Sequence, residues 1–170
     1  GTSSIDAALL RRALVQLVGG SGNSTLISGT VSGSGTNRNQ LVGGTGASNL
    51  IGSPTTSTIL VAGQGNATIV GGSASDDITS GPRSDFLIGG GGQDRFVFLN
   101  NFGRDRLSVE GHGNIADFSG VTGDLTFNLG RLVQSAAIGL NTMFFAPDTS
   151  GSNSIDTWLA GPGDDRFNTF

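Results

Sequence analysis

Cysteine is missing from this 170-residue chain. That excludes a disulfide framework and any zinc site built on thiolates. Lysine is missing too, and all nine basic residues are arginine. The single histidine, His112, cannot form the pair of imidazoles that a histidine zinc site needs. Charged residues make up only 13% of the chain, the net charge is −4, and the arginines do not cluster along the sequence, which argues against nucleic acid as a partner. No apolar run is long enough to span a bilayer, so no transmembrane segment is expected. The chain opens Gly1-Thr2 without methionine or a visible signal peptide, and is expected to be a processed product or an excised segment.

Glycine, by contrast, is abundant, at 30 residues. The acids are almost all of one kind, twelve aspartates against the single Glu110. Aspartate is short enough to reach the backbone of its own turn, so this bias suits either ligand-bearing turns or turns that aspartate merely caps.

The glycines keep time. From Gly19 to Val97 a nine-residue unit recurs, Gly-Gly-x-Gly-x-Asp-x-U-x with U large and apolar, and it is clearest at Gly89–Val97. The units are Gly19–Ile27, Ser34–Val42, Gly43–Ile51, Gly52–Leu60, Ala62–Val70, Gly71–Thr79, Ser80–Ile88 and Gly89–Val97, with Ser28–Gly33 inserted and Val61 a one-residue slip. A unit this short cannot fold alone and must stack on its neighbours. The expected fold is all-β: a parallel β-roll, or β-solenoid, of stacked nonapeptide turns with a short N-terminal capping helix. The expected organisation is a helical cap over 1–18, the roll over 19–108, an irregular β continuation over 109–150 and terminal repeats over 151–170.

Each position of the unit has a predicted role. The eighth is Leu26, Leu41, Leu50, Ile59, Ile69, Ile78, Leu87 and Phe96, an inward-facing column split between two opposed rows. The ninth is apolar in all units but one, which places apolar stripes on the outer surface. Flanking segments could fold over those stripes, another chain could cover them, or they could stay exposed. The sixth position runs Ser24, Asn39, Ser48, Ser57, Ala67, Asp76, Asp85 and Asp94. Only its last three members can offer carboxylates. Asp105, followed by Leu107 at the matching offset, extends the series within Asn100–Ser108.

The flanks are less regular. Ser4–Val18 carries strong helix formers, with Ile5, Leu9, Ala13 and Leu17 on one face and Ser3 or Ser4 as N-cap. Asp117–Leu129 reads as strand, turn, strand. Gly130–Pro147 reads as further strands or a loop, with Met143-Phe144-Phe145 assigned to the core. Gly151–Leu159, with Asp156 and Trp158, and Ala160–Asn168, with Asp165 and Phe167, return to the beat. The stack is expected to end in an open coil that meets either further chain or another copy.

These motifs resemble the RTX, or haemolysin-type, calcium-binding repeats of secreted bacterial proteins. The resemblance covers Gly19–Val97 and, more briefly, Gly151–Asn168; Leu17–Leu26 and Asp117–Leu129 also look like parts of very large bacterial surface proteins and adhesins. It implies that two units make one coil and that Ca2+ lies between same-side turns of adjacent coils. Asp76 would then pair with Asp94, and Asp85 with Asp105. Asp165, or Asp156, would need a ligand from elsewhere in the structure or from another chain. Turn carbonyls would complete shells of about six to eight oxygens. Ser24, Asn39, Ser48, Ser57 and Ala67 depart from the family's aspartate, so the N-terminal half is expected to be free of calcium. The resemblance further implies secretion, extracellular calcium and folding completed outside the cell.

Catalysis finds no support in the motifs: the Gly-x-Ser segments are repeat turns rather than strand-to-helix elbows. The expected function is therefore a non-catalytic extracellular structural β-solenoid, at the cell surface or secreted. It would self-associate into a filament or layer through its open C-terminal coil and outer apolar stripes. The alternative is an RTX module of a large adhesin or exoprotein, monomeric when excised. Ice binding is disfavoured because the third position of the unit holds no regular threonine array.

Overall fold

Glycine-rich turns separated by three to seven extended residues leave each strand too short to stand alone, and the chain answers by winding. The computed structural model describes residues 1–6, 14–30, 38–130, 134–145 and 154–169. Its strands, in chain order, are β1 (Ser3–Asp6), β2 (Gln16–Val18), β3 (Ser24–Ile27), β4 (Asn39–Val42), β5 (Ser48–Ile51), β6 (Thr58–Val61), β7 (Ala67–Gly72), β8 (Asp77–Thr79), β9 (Phe86–Gly90), β10 (Arg95–Leu99), β11 (Arg104–Ser108), β12 (Asn114–Gly120), β13 (Thr126–Leu129), β14 (Gln134–Ile138), β15 (Asn141–Phe145), β16 (Ile155–Leu159) and β17 (Arg166–Thr169). Among the described residues there is no helix.

Odd and even strands part into two sheets. The first runs β1-β3-β5-β7-β9-β11 and then β15-β14-β13-β17; the second runs β2-β4-β6-β8-β10-β12-β16. Up to β11 and β12 every pairing is parallel and every pair skips one strand, so each coil contributes one strand to each wall. The fold is thus an all-β solenoid.

The core is what the period-two alternation of a strand requires. Leu26, Leu50, Ile69, Leu87 and Leu107 are joined rung to rung in one wall, and Leu17, Leu41, Leu60, Ile78 and Phe96 in the other. All are buried. One expected member is corrected. Ile59 points outward, and its place in the inner row belongs to Leu60, which pairs with Leu41 and Ile78. The extra residue therefore lies in the turn before Thr58 rather than after the strand, so Thr58, not Ser57, holds the sixth position. The ninth-position residues form outer columns: Ile27, Ile51, Val70 and Ile88 stack in one and are half-buried.

The expected N-terminal helix is not seen. Its two ends are strands: β1 pairs in parallel with β3, and β2 with β4. Pairing with a sheet edge satisfies backbone groups that would otherwise be left open, and here that outweighs local helix propensity. Leu9 and Ala13, two of the four residues on the expected helical face, lie outside the described residues; Ile5 is exposed on β1, and Leu17 is buried on β2.

Beyond β11 the walls diverge. The strand–turn–strand reading of Asp117–Leu129 matches β12 and β13. Between β11 and β13, however, the hairpin β14–β15 inserts itself: β15 runs parallel to β11, β14 antiparallel to β15, and β13 antiparallel to β14. In the other wall β12 pairs directly with β16. The widened interior is filled by large rings. Phe98 stacks on Phe118 with centroids 4.4 Å apart, Phe118 meets Phe127 edge-on at 5.5 Å, and Phe127 stacks on Phe167 at 4.5 Å. Met143 and Phe145 join this core as expected, but Phe144, the residue between them on the strand, is 47% exposed.

Candidate functional site

The sixth position begins each strand on its inward side, where the turn closes over it. The longer polar side chains at this position share one role, which is to accept a backbone N–H from the coil below. Asn39 Oδ1 accepts Val15 N–H at 3.1 Å, Asp76 Oδ1 accepts Thr58 N–H at 2.6 Å, Asp94 Oδ1 accepts Asp76 N–H at 2.9 Å, and Asn114 Oδ1 accepts Asp94 N–H at 2.9 Å. On the opposite edge of the roll Asp85 takes Ala67 N–H at 2.7 Å and Asp105 takes Asp85 N–H at 2.9 Å. Asp165 takes Leu125 N–H at 2.8 Å, and Asp156 takes the N–H of Gly113. The structure therefore brings Asp76 and Asp94 together on one edge and Asp85 and Asp105 on the other. Asp165 stands apart, half-buried near the end of the roll, and Asp156 is exposed.

The second oxygen of each carboxylate distinguishes the sites. Asp85 Oδ2 accepts Gly81 N–H at 2.8 Å, so both its oxygens are engaged. Asp76, Asp94 and Asp105 are at most 1% exposed, and in each of them Oδ2 is buried outside hydrogen-bond geometry, although beside Asp105 the buried Ser80 hydroxyl is near enough to pull its pKa down. Turn glycines make room for these groups. A Cβ on Gly71 would lie 2.6 Å from Asp76 Oδ2, and one on Gly89 would lie 2.2 Å from Asp94 Oδ2.

Two asparagines show what surrounds that second atom. Asn39 Nδ2 donates to Gly29 C=O at 2.8 Å and to Ser28 Oγ at 2.9 Å. Asn114 Nδ2 donates to the carbonyls of Glu110, Gly111 and Ser154 at 3.2, 3.4 and 3.0 Å. At these two turns carbonyl oxygens face the second side-chain atom of the sixth position. An amide N–H suits them; a bare carboxylate oxygen does not, unless a proton or a cation lies between.

The electrostatics agree with the geometry. Burial pushes Asp76 up to about 7, only partly offset by the Thr58 N–H, and neighbouring Asp94 adds to the rise. Burial raises Asp94 to about 6 and Asp105 to about 8. Asp85 is also raised by burial, with the Gly81 and Ala67 N–H groups opposing.

Comparison with protein-family models, with curated proteins and with solved structures finds no match to this chain. The site must therefore be read from its own chemistry. Among the described residues no three His, Cys, Asp or Glu side chains converge on one point. What the structure pairs at each edge is two aspartates on adjacent coils, Asp76 with Asp94 and Asp85 with Asp105, and carboxylate oxygen is a donor that hard ions prefer.

Sequence reasoning missed Asn114. It sits in Val109-Glu110-Gly111-His112-Gly113-Asn114-Ile115-Ala116-Asp117, one more beat of the repeat, disguised by alanine at the eighth position and asparagine at the sixth. The signal was available at Asn39, which has the same residue in the same place. His112, also in this turn, places Nδ1 2.9 Å from Ser154 Oγ, and Ser154 Oγ donates to Asp156 Oδ1 at 2.9 Å. This is not the order of a hydrolytic triad. There, one imidazole nitrogen faces serine and the other faces the acid, whereas here both contacts fall on Nδ1.

Proposed function

We propose that this chain is a non-catalytic structural β-solenoid of the extracellular space that takes calcium into its aspartate-bearing turns and associates with copies of itself. The observation that carries the calcium reading is the set of three buried oxygens outside hydrogen-bond geometry, Asp76 Oδ2, Asp94 Oδ2 and Asp105 Oδ2, at a turn position where asparagines meet converging carbonyls. Asp76 with Asp94, and Asp105 with Asp85, would hold the ions with turn carbonyls. Asp165 engages Leu125 through one oxygen and is only partly buried, which makes it the weaker ligand. A bound divalent ion supplies the charge that these carboxylates lack, and so replaces the proton they otherwise retain. Sites made of few charges and many carbonyls suit the millimolar calcium outside cells, which supports the extracellular reading.

Self-association rests on the ends of the stack. β1 and β2 at one end, and β16 and β17 at the other, are the outermost strands of the two walls. Among the described residues no strand pairs with the outer edge of any of the four, and such a parallel edge is of the kind another strand can extend. A head-to-tail contact that does not close gives a fibre.

Isothermal titration with Ca2+ tests the first part, alongside thermal unfolding with and without EGTA. Heat of binding and a raised Tm are expected, with each site adding about 2.7 kcal/mol at a hundredfold excess over its Kd. An unchanged Tm and no heat in millimolar Ca2+ would sink it. Light scattering and negative-stain imaging test the second part: concentration-dependent polymers support it, and a monomer at all concentrations leaves the excised-module reading in its place.

A further inference from the structure

The outer faces of the two walls are charged in different ways. On the wall of even strands, arginine is neutralised where it stands: Arg38 lies 2.5 Å from Asp77, and Arg95 is paired with Asp117. On the other wall Arg104 and Arg106 on β11, and Arg83 in the preceding turn of the same edge, form no ion pair among the described residues, and all three are exposed. The carboxylates nearest to them along the chain, Asp85 and Asp105, face the core and are buried. Three arginines scattered in the sequence are thus gathered by the winding into one uncompensated basic edge, on a chain whose net charge is −4.

These arginines line two adjoining grooves. The larger, about 710 Å3, runs across the strands from Ser4 to Arg106 and is lined by Asn66, Thr68, Phe86 and Arg104 among others. The smaller, about 350 Å3, is lined by Arg83, Arg104 and Asn141. The floor of the larger follows one register row, Thr25, Asn49, Thr68, Phe86 and Arg106, joined rung to rung from β3 to β11, and the same row continues beyond the groove to Phe144 on β15. Neighbouring strands are about 4.8 Å apart, so the row is straight and about 24 Å long. Phe86 and Phe144, 41% and 47% exposed, flank Arg106 on either side. Two large rings held in water on one straight row mark a surface that something else covers.

We infer that this row binds an acidic polysaccharide. The Phe86 and Phe144 faces would stack against the C–H faces of successive sugar rings, and Arg106 between them would take a carboxylate or sulfate through its planar fork. Arg83 and Arg104 would hold a second anionic group one coil edge away, and Thr25, Asn49 and Thr68 would hydrogen-bond hydroxyls along the chain. Nucleic acid fits less well: it carries a phosphate at every nucleotide, of which three positive groups neutralise few, whereas a polysaccharide can carry its acidic groups more sparsely. None of the groups assigned to the polysaccharide is a calcium position, although Asp85 also lines the larger groove with its carboxylate buried, so the inference does not rest on the ion.

The test is affinity measurement by calorimetry or affinity electrophoresis on the whole chain, in EGTA and again in Ca2+, which separates a failure here from a failure of the calcium reading. Short oligogalacturonates, dextran sulfate, neutral dextran and a single-stranded oligonucleotide are the probes; preference between the first two distinguishes carboxylate from sulfate. Binding to at least one acidic glycan is expected, well above neutral dextran and the oligonucleotide. Arg106→Ser and the double change Phe86→Ser with Phe144→Ser should each weaken it about tenfold or more. Arg106→Lys, which keeps the charge and loses the fork, should also weaken it. Arg38→Ser on the opposite wall should leave it unchanged. All the substituted groups on the row are exposed, and circular dichroism verifies that the roll persists. Equal binding of neutral dextran or of the oligonucleotide, or affinity indifferent to the two phenylalanines, would overturn the inference.

Discussion

The N-terminal coils and the aspartate coils tie one turn to the next by different means. Where the sixth side chain is short, the backbone makes the tie: Ser24 N–H donates to Ala47 C=O at 2.9 Å, and Ser48 N–H donates to Asn66 C=O at 2.9 Å. The serine hydroxyls then turn to their own loops, Ser24 to Gly22 C=O and Ser48 to Gly46 C=O, each at 3.4 Å. Where the side chain is Asp76, Asp94 or Asp105, the carboxylate makes the tie and is left with an oxygen to satisfy, whereas Asp85 has both oxygens engaged. The first kind of coil is complete in water alone. The second is complete only with a proton or a cation. One repeat thus encodes both a permanent scaffold and a conditional one, and the change from serine to aspartate sets the boundary between them.

The largest effect that would sharpen this contrast is the response to pH without metal. Asp76, Asp94 and Asp105 titrate higher in the fold than in the unfolded chain, so the folded state holds extra protons between about pH 4 and pH 8. That stabilisation is complete below the ordinary aspartate range and is lost as pH rises through about 6 to 8. Urea unfolding in EGTA should show stability falling by several kcal/mol from pH 4 to pH 8, at about 1.4 kcal/mol per unit of displacement. Millimolar Ca2+ should remove most of that fall; a flat profile in EGTA would break the contrast.

Next comes the exchange of aspartate for the residue that the roll itself uses elsewhere. Asp94→Asn should stabilise the metal-free protein at pH 8 by about 1–3 kcal/mol, because an amide can donate to the turn as Asn114 does. The same change should cost calcium affinity, read by titration. The reverse exchange, Asn39→Asp, should carry the condition into the N-terminal half. It should lower stability at pH 8 by about 1–3 kcal/mol and add a fall with pH at that coil, visible in hydrogen exchange of Val15 and its neighbours. The smallest effect belongs to Ser48→Ala, about 0.5–1.5 kcal/mol in denaturant midpoint, equal at pH 5 and pH 8 and indifferent to calcium.

Much of this is legible in the residues. The nine-residue beat contains the solenoid and its inward apolar positions, because period and polarity are sequence properties, while the same-edge aspartate pairs come from the two-unit coil that the resemblance implies. Ile59 is misplaced by the beat because Thr58-Ile59-Leu60-Val61 offers apolar side chains to both faces, and only the partner strands decide which face is inner. The helix expected over Ser4–Val18 comes from local propensity, which does not register an unpaired sheet edge close by. The hairpin β14–β15 is legible only in part: Gly130–Pro147 reads as further strands or a loop, but the antiparallel pairing is not read because it interrupts the beat instead of keeping it. The basic row is invisible for a different reason: Arg83, Arg104 and Arg106 meet Phe86 and Phe144 only through a register that no single segment carries.

That hairpin has a mechanical consequence. It lengthens one wall by two strand spacings, nearly 10 Å, while the facing wall gains nothing. Facing walls in such a stack stand only about 10 Å apart, so a mismatch of that size exceeds what twist can absorb. The direction in which coils are laid down must swing at this point, toward the shorter wall. A rod built from such a molecule would carry an elbow at a fixed interval, its pitch written by two short antiparallel strands.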